Sequence, residues 1–224
     1  MSTYVIRRAA TAPPLDGDWD DRCWSKADVA DISHFHPASS SHRPRTRAKV
    51  LYDDTGLHLF FTVSDQYVRC VRQNFQDQVC RDSCVEFFVQ PEGSPGYFNF
   101  EFNCGGTMLL MYIVDPTREG SAFKDSISVA SEWANLVRVR HSLPRRIEPE
   151  ITTAINWNLQ AHIPFRIFEP YIKSPVKMGN SATWRGNFYK CGDDTSHPHW
   201  ASWNAIGDEL NFHQPAKFGA QRFE

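Results

Sequence analysis

Two stretches of period-two hydrophobicity, "VEFFVQ" (85–90) and "YFNFEFN" (97–103), constrain the fold more than any other feature of the chain. Between them lies "PEGSPG", made of residues that favour tight turns, so the segments 83–90 and 97–104 predict a paired hairpin. Side chains alternate faces along a strand. Val85, Phe87 and Val89 therefore point one way and Glu86, Phe88 and Gln90 the other; Phe98, Phe100 and Phe102 face a core, while Asn99, Glu101 and Asn103 face away from it.

The same pattern recurs along the chain. "TRAKVLYDDTGLHLFFTVSD" places two strand-like runs around the turn residues Asp53 to Gly56, and "TMLLMYIV" (107–114) follows the first hairpin closely. Further strands are expected at 131–140, 148–155, 158–164, 182–191 and 200–206 and in the tail "GAQRFE". A single short helix is expected over "PFRIFEPYI" (164–172), limited by Pro170. Many short strands with few helices predict an all-β fold, an antiparallel β-sandwich of jelly-roll or immunoglobulin-like type. With no repeat, low-complexity tract or linker, residues 1–224 are expected to form one domain.

Composition narrows the function. Aromatic residues make up 13% of the chain, which suits pleated, half-buried surfaces. Lys+Arg 24 against Asp+Glu 26 leaves a formal charge of −2, and "SHRPRTRAK" is too short and isolated to argue for nucleic acid. No apolar run has the length of a membrane span, so no membrane partner is expected. The N-terminus "MSTYVIRRAATAPPLDG" lacks the apolar stretch of an export signal. A cytoplasmic location is expected as written, and an extracellular one if a leader has been removed. The six cysteines are too sparse for a disulfide scaffold and are expected as free thiols.

Alternation in "TWRGNFYK" puts Trp184 on the core side and Arg185, Asn187 and Tyr189 opposite. If the three strands share a sheet, one face gathers Glu86, Asn99, Glu101, Asn103, Arg185, Asn187 and Tyr189. Carboxylates, amides and a guanidinium match the hydroxyl edge of a sugar, and aromatic rings match its apolar face. Alternation alone also produces ordinary solvated sheet faces. Glu86 and Glu101 could be cross-strand neighbours, which leaves a glycoside-hydrolysing pair as an alternative, although no other hydrolytic motif accompanies them.

Metal signals are weaker. Cys80 and Cys84 have no second knuckle to complete a zinc site. The alternate histidines His34/His36 and His197/His199 could each share a metal on an extended segment, but prolines beside them suggest loops. The acidic turns "DGDWDD" and "KCGDDT" carry oxygen ligands suited to calcium, and aspartate is also common in turns for backbone reasons.

In order and spacing, several of these motifs resemble family 9 carbohydrate-binding modules. "PPLDGDWDDRCW" is similar to the family's entry motif, with Asp16, Gly17, Asp20 and Trp24 in its places; "RDSCVEFFVQP" resembles its Asp-Ser-Val-Glu-aromatic strand with Cys84 as one extra residue; "PAKFG" resembles its closing motif. The resemblance spans nearly the whole chain. It implies a β-sandwich of the wider DOMON type, non-catalytic sugar recognition associated with polysaccharide catabolism, appendage to xylan- or cellulose-degrading enzymes, and structural calcium in many members.

Carried over by position, it implies Glu86 as a ligand contact and Phe212 in place of one sandwiching tryptophan. The other tryptophan falls near Val79 or Cys80, where no aromatic stands, and Trp200 is the expected replacement. Glu101 stands where the family has arginine, Arg185 where it has glutamine, and Asn187 keeps its asparagine. The expected carbohydrate site is therefore Glu86, Glu101, Asn103, Arg185, Asn187, Phe212 and Trp200, with no catalytic residue. The DOMON relationship also leaves a haem-binding alternative, with Met108, Met111 or Met178 and a histidine as axial ligands.

Overall fold

In a computed structural model, residues 2–172, 176–179 and 182–224 are described. The first strands are β1 (Thr3–Arg8), β2 (Ala30–Ile32), β3 (His34–Phe35), β4 (Arg45–Tyr52), β5 (Gly56–Asp65) and β6 (Val68–Cys70). The central hairpin and its extension are β7 (Cys84–Gln90), β8 (Tyr97–Asn103), β9 (Met108–Glu119) and β10 (Ala122–Ser128). A one-turn helix, α1 (Ser131–Ala134), precedes β11 (Arg138–His141), β12 (Ile147–Ile151) and β13 (Ile155–Pro164). The chain closes with β14 (Thr183–Cys191), β15 (Trp200–Ser202) and β16 (Gly219–Phe223).

The strands form two layers. The first runs β10-β9-β8-β7-β14-β16-β1 and the second β1-β4-β5-β13-β11, with β2 on β4, β15 between β14 and β3, and a separate β6–β12 pair. β1 joins the layers: Thr3 to Ile6 pair with β16, and Arg7 and Arg8 pair with β4. Both of these pairings are parallel, a departure from the antiparallel expectation. Parallel pairing suits this strand because its neighbours come from distant parts of the chain, so no hairpin fixes their direction.

Alternation builds the core between the layers. Val85, Phe87, Val89, Phe98, Phe100, Phe102, Trp184 and Phe188 of the first sheet pack with Val50, Leu59, Phe61, Val63, Trp157, Leu159 and Ile163 of the second. Phe188 stacks on Phe87 at 5.0 Å and meets Tyr4 edge-on at 5.4 Å. Trp184 is fully buried, edge-on to Phe168, and its indole N–H donates to the Lys177 carbonyl at 3.0 Å. Trp184→Ala should destabilise the protein by about 3–5 kcal/mol, read as a fall in the urea midpoint at unchanged slope; a loss under about 1 kcal/mol would mean the core refills the site.

Several expected boundaries change. The helix expected at 164–172 is only a 3-10 turn at Phe165–Ile167, which buries Phe165, Ile167 and Phe168 against the core. The α-helical turn falls instead at Ser131–Ala134, inside a segment expected as strand, and the strand begins at Arg138. The expected strand at 148–155 is interrupted between Ile151 and Ile155, and the one at 200–206 ends at Ser202. β1, β2, β3, β6 and β10 had no counterpart among the expected strands.

Candidate functional site

The outer face of the first sheet is a grid set by strand register. One row reads Tyr189, Glu86, Glu101 and Leu109 across β14, β7, β8 and β9. The row beside it reads Asn187, Phe88, Asn99 and Met111, and on the other side Cys191, Cys84 and Asn103. The middle of the first row, Glu86 and Glu101, opens onto a cleft. Glu86 and Glu101 form its floor, with Cys80, Cys191, Asp193, Trp200, Arg118, Asn211, Phe212 and His213 around them, enclosing about 290 Å³. A groove of about 560 Å³ shares Glu101, Arg118, Asp193 and His213 and runs on between β9, β10 and the 193–194 turn.

The walls are aromatic and braced from behind. Phe212 stacks on the buried Tyr189 ring at 4.1 Å and 12°, and the Tyr189 hydroxyl donates to the Phe212 carbonyl at 3.0 Å. Trp200 donates its indole N–H to Asp193 at 2.8 Å. Arg118 lies over the Phe123 ring at 3.8 Å and donates to the Ser121 carbonyl.

The floor is electrostatically tense. Glu86 and Glu101 face one another directly across β7 and β8, and both are almost wholly buried. Burial, reinforced for Glu86 by the neighbouring Glu101 charge, raises its carboxyl well above the ordinary range. Burial likewise raises Glu101 to about 7, with Asp193 adding to the effect and Asn99 opposing it. Burial also raises Asp193, helped by Asp194. Burial therefore favours the protonated form of both facing carboxyls. Asn99 donates to Glu101 Oε1 at 2.7 Å, and the Cys191 thiol donates to Glu86 Oε1 at 3.1 Å. Glu86 Oε2 is buried without a hydrogen-bond partner.

The expected site residues thus separate into two groups. Glu86, Glu101, Phe212 and Trp200 converge on the cleft. Asn103, Arg185 and Asn187 do not. Asn103 donates to the Arg72 carbonyl and to Asp82 and accepts from the Thr107 N–H. Asn187 exchanges hydrogen bonds with the backbone of Asn204, so its amide substitutes for a missing strand neighbour. Arg185 points to the Ala216 and Phe218 carbonyls. All three share the outer face, but neighbouring loops cover them and consume their polar groups.

Arg118, Asp193 and His213 were not expected. Arg118 lies beyond Pro116, past the expected end of the strand at residue 114; β9 in fact continues to Glu119. Its guanidinium enters the cleft beside Glu101, where the resemblance had placed an arginine on the floor itself. His213 adjoins Phe212 in sequence and accepts or donates at Nδ1 with the Tyr97 hydroxyl at 2.9 Å. Burial lowers it to about 3, so it lines the cleft uncharged.

The metal expectations fare differently. Three of the four alternate histidines are engaged elsewhere, and His34 is exposed: His36 donates to the Asp208 carbonyl, His197 stacks on Tyr67 at 3.6 Å, and His199 accepts from Lys190 at 2.7 Å. In the second acidic turn, Asp194 is held by Arg72 and Arg81 and Asp193 by Trp200, which does not fit a calcium site. Among the described residues, the potential ligand triads are Cys84–Glu86–Cys191 and Asp53–His58–His162. All six cysteines are free. Of the methionines and histidines expected as haem ligands, Met111 and His213 both line the groove, together with the carboxylates Glu101 and Asp193. No described helix is long and apolar enough to cross a membrane.

Residues 23–223 match the family described as carbohydrate-binding family 9. A candidate carbohydrate-binding protein from Bacteroides uniformis ATCC 8492 superposes with a TM-score of 0.84 at 27% identity, over 99% of each chain. A family 9 module from Caldicellulosiruptor kristjanssonii, solved with cellotriose, has a TM-score of 0.64 at 12% identity over 100% of this chain and 94% of the module. A structure from the same organism with glucose has a TM-score of 0.61 at 13% identity, over 98% of this chain and 95% of that one. No curated protein matches the chain.

Proposed function

The chain belongs to carbohydrate-binding family 9, and from that premise we propose that it binds a saccharide, without cleaving it, in the cleft over Glu86 and Glu101. The observation that carries this reading is the unpartnered Glu86 Oε2, a polar oxygen buried at the floor of a cleft walled by Phe212 and Trp200. An orphaned buried polar oxygen is costly to the fold, and a sugar hydroxyl, which both donates and accepts, supplies the missing partner while the sugar's C–H face packs on the rings. Glu101, Arg118 and Asp193 complete the polar edge. The whole chain acts as one binding unit in this reading.

A binding role also fits the placement of the two carboxylates better than hydrolysis does. A glycosidase pair flanks the scissile bond from two sides. Glu86 and Glu101 are direct cross-strand partners on one sheet face, so both approach a ligand from the same side.

Titration of tryptophan emission with glucose, cellobiose and cellotriose tests the proposal, with Trp200 as the reporter in the cleft. A saturable shift is expected with at least one of them. Phe212→Ala should weaken it by roughly 10-fold or more, the worth of one buried aromatic face, and Phe212→Leu less, because it keeps apolar cover over Tyr189. A flat response in the unaltered protein to these and to a wider panel of hexose and pentose oligosaccharides would refute the saccharide reading.

A further inference from the structure

The second sheet carries a cluster that the saccharide cleft does not use. β5 and β13 pair over their full length, and His162 stands directly opposite His58. Both point away from the core, because Leu57, Leu59, Ala161 and Ile163 on either side of them point into it. Their rings lie 4.8 Å apart. Asp53, in the turn that opens the β4–β5 hairpin, accepts from His58 Nε2 at 2.8 Å. One nitrogen of each imidazole and one Asp53 oxygen lie within 4.8 Å of one another.

Counting protons exposes a gap in this cluster. The Thr55 hydroxyl has one proton, and it is 2.6 Å from Asp53 Oδ1, a carboxylate oxygen that only accepts. Thr55 Oγ1 must then accept from His162 Nε2, 3.0 Å away. That fixes the His162 tautomer: Nε2 carries the proton and Nδ1 presents a bare lone pair. His162 Nδ1 is buried and has no hydrogen-bond partner. Hydrogen bonding alone therefore leaves the cluster unfinished, whereas a cation accepts such a lone pair.

We propose that Asp53, His58 and His162 bind a borderline divalent cation of the zinc, cobalt or nickel type, on the face of the sandwich opposite the saccharide cleft. Two imidazoles and a carboxylate select this class, since calcium and magnesium take oxygen ligands. Two of the three ligands sit on a rigid strand pair, whose register sets their separation. The third, Asp53, keeps 18% of its side chain exposed while His58 keeps 4%, so an ion enters from the hairpin turn. Three protein ligands leave room for water, and Thr55 holds Asp53 and His162 in orientation as an outer partner.

The test uses the full chain, stripped of metal and titrated with Zn²⁺ by calorimetry and with Co²⁺ by visible absorption. One equivalent should bind saturably, with Co²⁺ bands that lack a thiolate charge-transfer component, and the ring ¹⁵N signals of His58 and His162 should shift. His162→Gln and Asp53→Asn should each weaken Zn²⁺ by at least about 10-fold, while His34→Gln, on an exposed strand of the other sheet, should leave it unchanged. Asp53→Asn alters a turn residue, so it carries the comparison should His162→Gln fail to fold. Failure of the native chain to bind Zn²⁺ would overturn the assignment. So would equal affinity in both variants, or a Co²⁺–thiolate band abolished by Cys84→Ser and Cys191→Ser, which would place the ion beneath the cleft instead.

Discussion

Glu101→Gln should weaken saccharide binding by roughly 10-fold to 100-fold and flatten its pH dependence. The loss corresponds to one charge-assisted hydrogen bond, worth about 1.5–3 kcal/mol. In the unaltered protein, sugar hydroxyls donating to the floor favour its ionised form, so affinity should rise with pH through about 7, where Glu101 titrates. With glutamine at 101, Glu86 loses the facing charge that helps hold its proton, and the rise moves to lower pH. Calorimetric titration of both proteins from acid to alkaline pH reads both effects. Identical affinity and identical pH profiles would place the binding site elsewhere.

Folding stability responds in the same window, with the opposite sign. An unfolded glutamate ionises near about 4.3, whereas folded Glu101 does so at about 7. Between those values the folded chain holds more protons than the unfolded one. Stability should therefore fall as pH rises across that range, and Glu101→Gln should abolish part of the fall. The carboxylate pair is thus costly to the fold at the pH where its charge serves ligand binding best.

Lys190→Met should destabilise the protein by about 3–5 kcal/mol, the penalty for stranding a buried charge. Lys190 is fully buried and donates to His199 at 2.7 Å and to the Cys191 carbonyl at 3.0 Å, with Asp65 3.5 Å away. Asp65 also accepts from His42 at 2.8 Å and from the Trp157 indole at 3.0 Å. Burial alone would raise the Asp65 carboxyl, but Lys190 and His42 hold it well below the usual range. Its stabilising contribution is present above the unfolded aspartate value of about 3.9 and is lost as pH falls toward its folded value. Urea unfolding at neutral and acid pH measures both, and a neutral-pH loss below about 1 kcal/mol would show that His42 and Trp157 suffice for Asp65.

The same lysine ties the fold to the cleft. Lys190 sits between two residues of the outer face, Tyr189 and Cys191, and its charge opposes the rise of the Glu86 carboxyl. Lys190→Met should therefore weaken the acidic floor even under conditions where the protein remains folded. The charge of a buried ion network on one side of β14 is thus felt by Glu86 on the other, where it works against burial and the Glu101 charge.

Much of this architecture is legible in the residue pattern. "CVEFFVQ" and "YFNFEFN" alternate without a break, so Glu86 and Glu101 had to share a face opposite Phe87 and Phe100, and the structure pairs them directly. The aromatic at Phe212 came from the family resemblance, by its place before "HQPAKFG", and not from strand alternation. Arg118 was not legible, because Pro116 resembles a strand end, although β9 has already run past its pairing with β8 there, so the missing N–H costs the sheet little. Asp193 was legible as an acidic turn residue but not as a partner of Trp200, seven positions on. The short helix was misplaced because a few apolar residues in "PFRIFEP" fit a 3-10 turn as well as a helix.

Side-chain alternation is a local property of each strand, and for that reason the sequence by itself determined which residues face the core and which face outward. What lies above an outward face depends on loops contributed from far along the chain. Only the tertiary structure decided that the 203–218 segment consumes Asn187 and Arg185, that the 72–82 segment consumes Asn103, and that the row of Glu86 and Glu101 between them stays open. The same holds for charge. A carboxylate's ionisation depends on how much water its surroundings exclude and on which charges lie within a few ångströms, and neither quantity is encoded in its sequence neighbours.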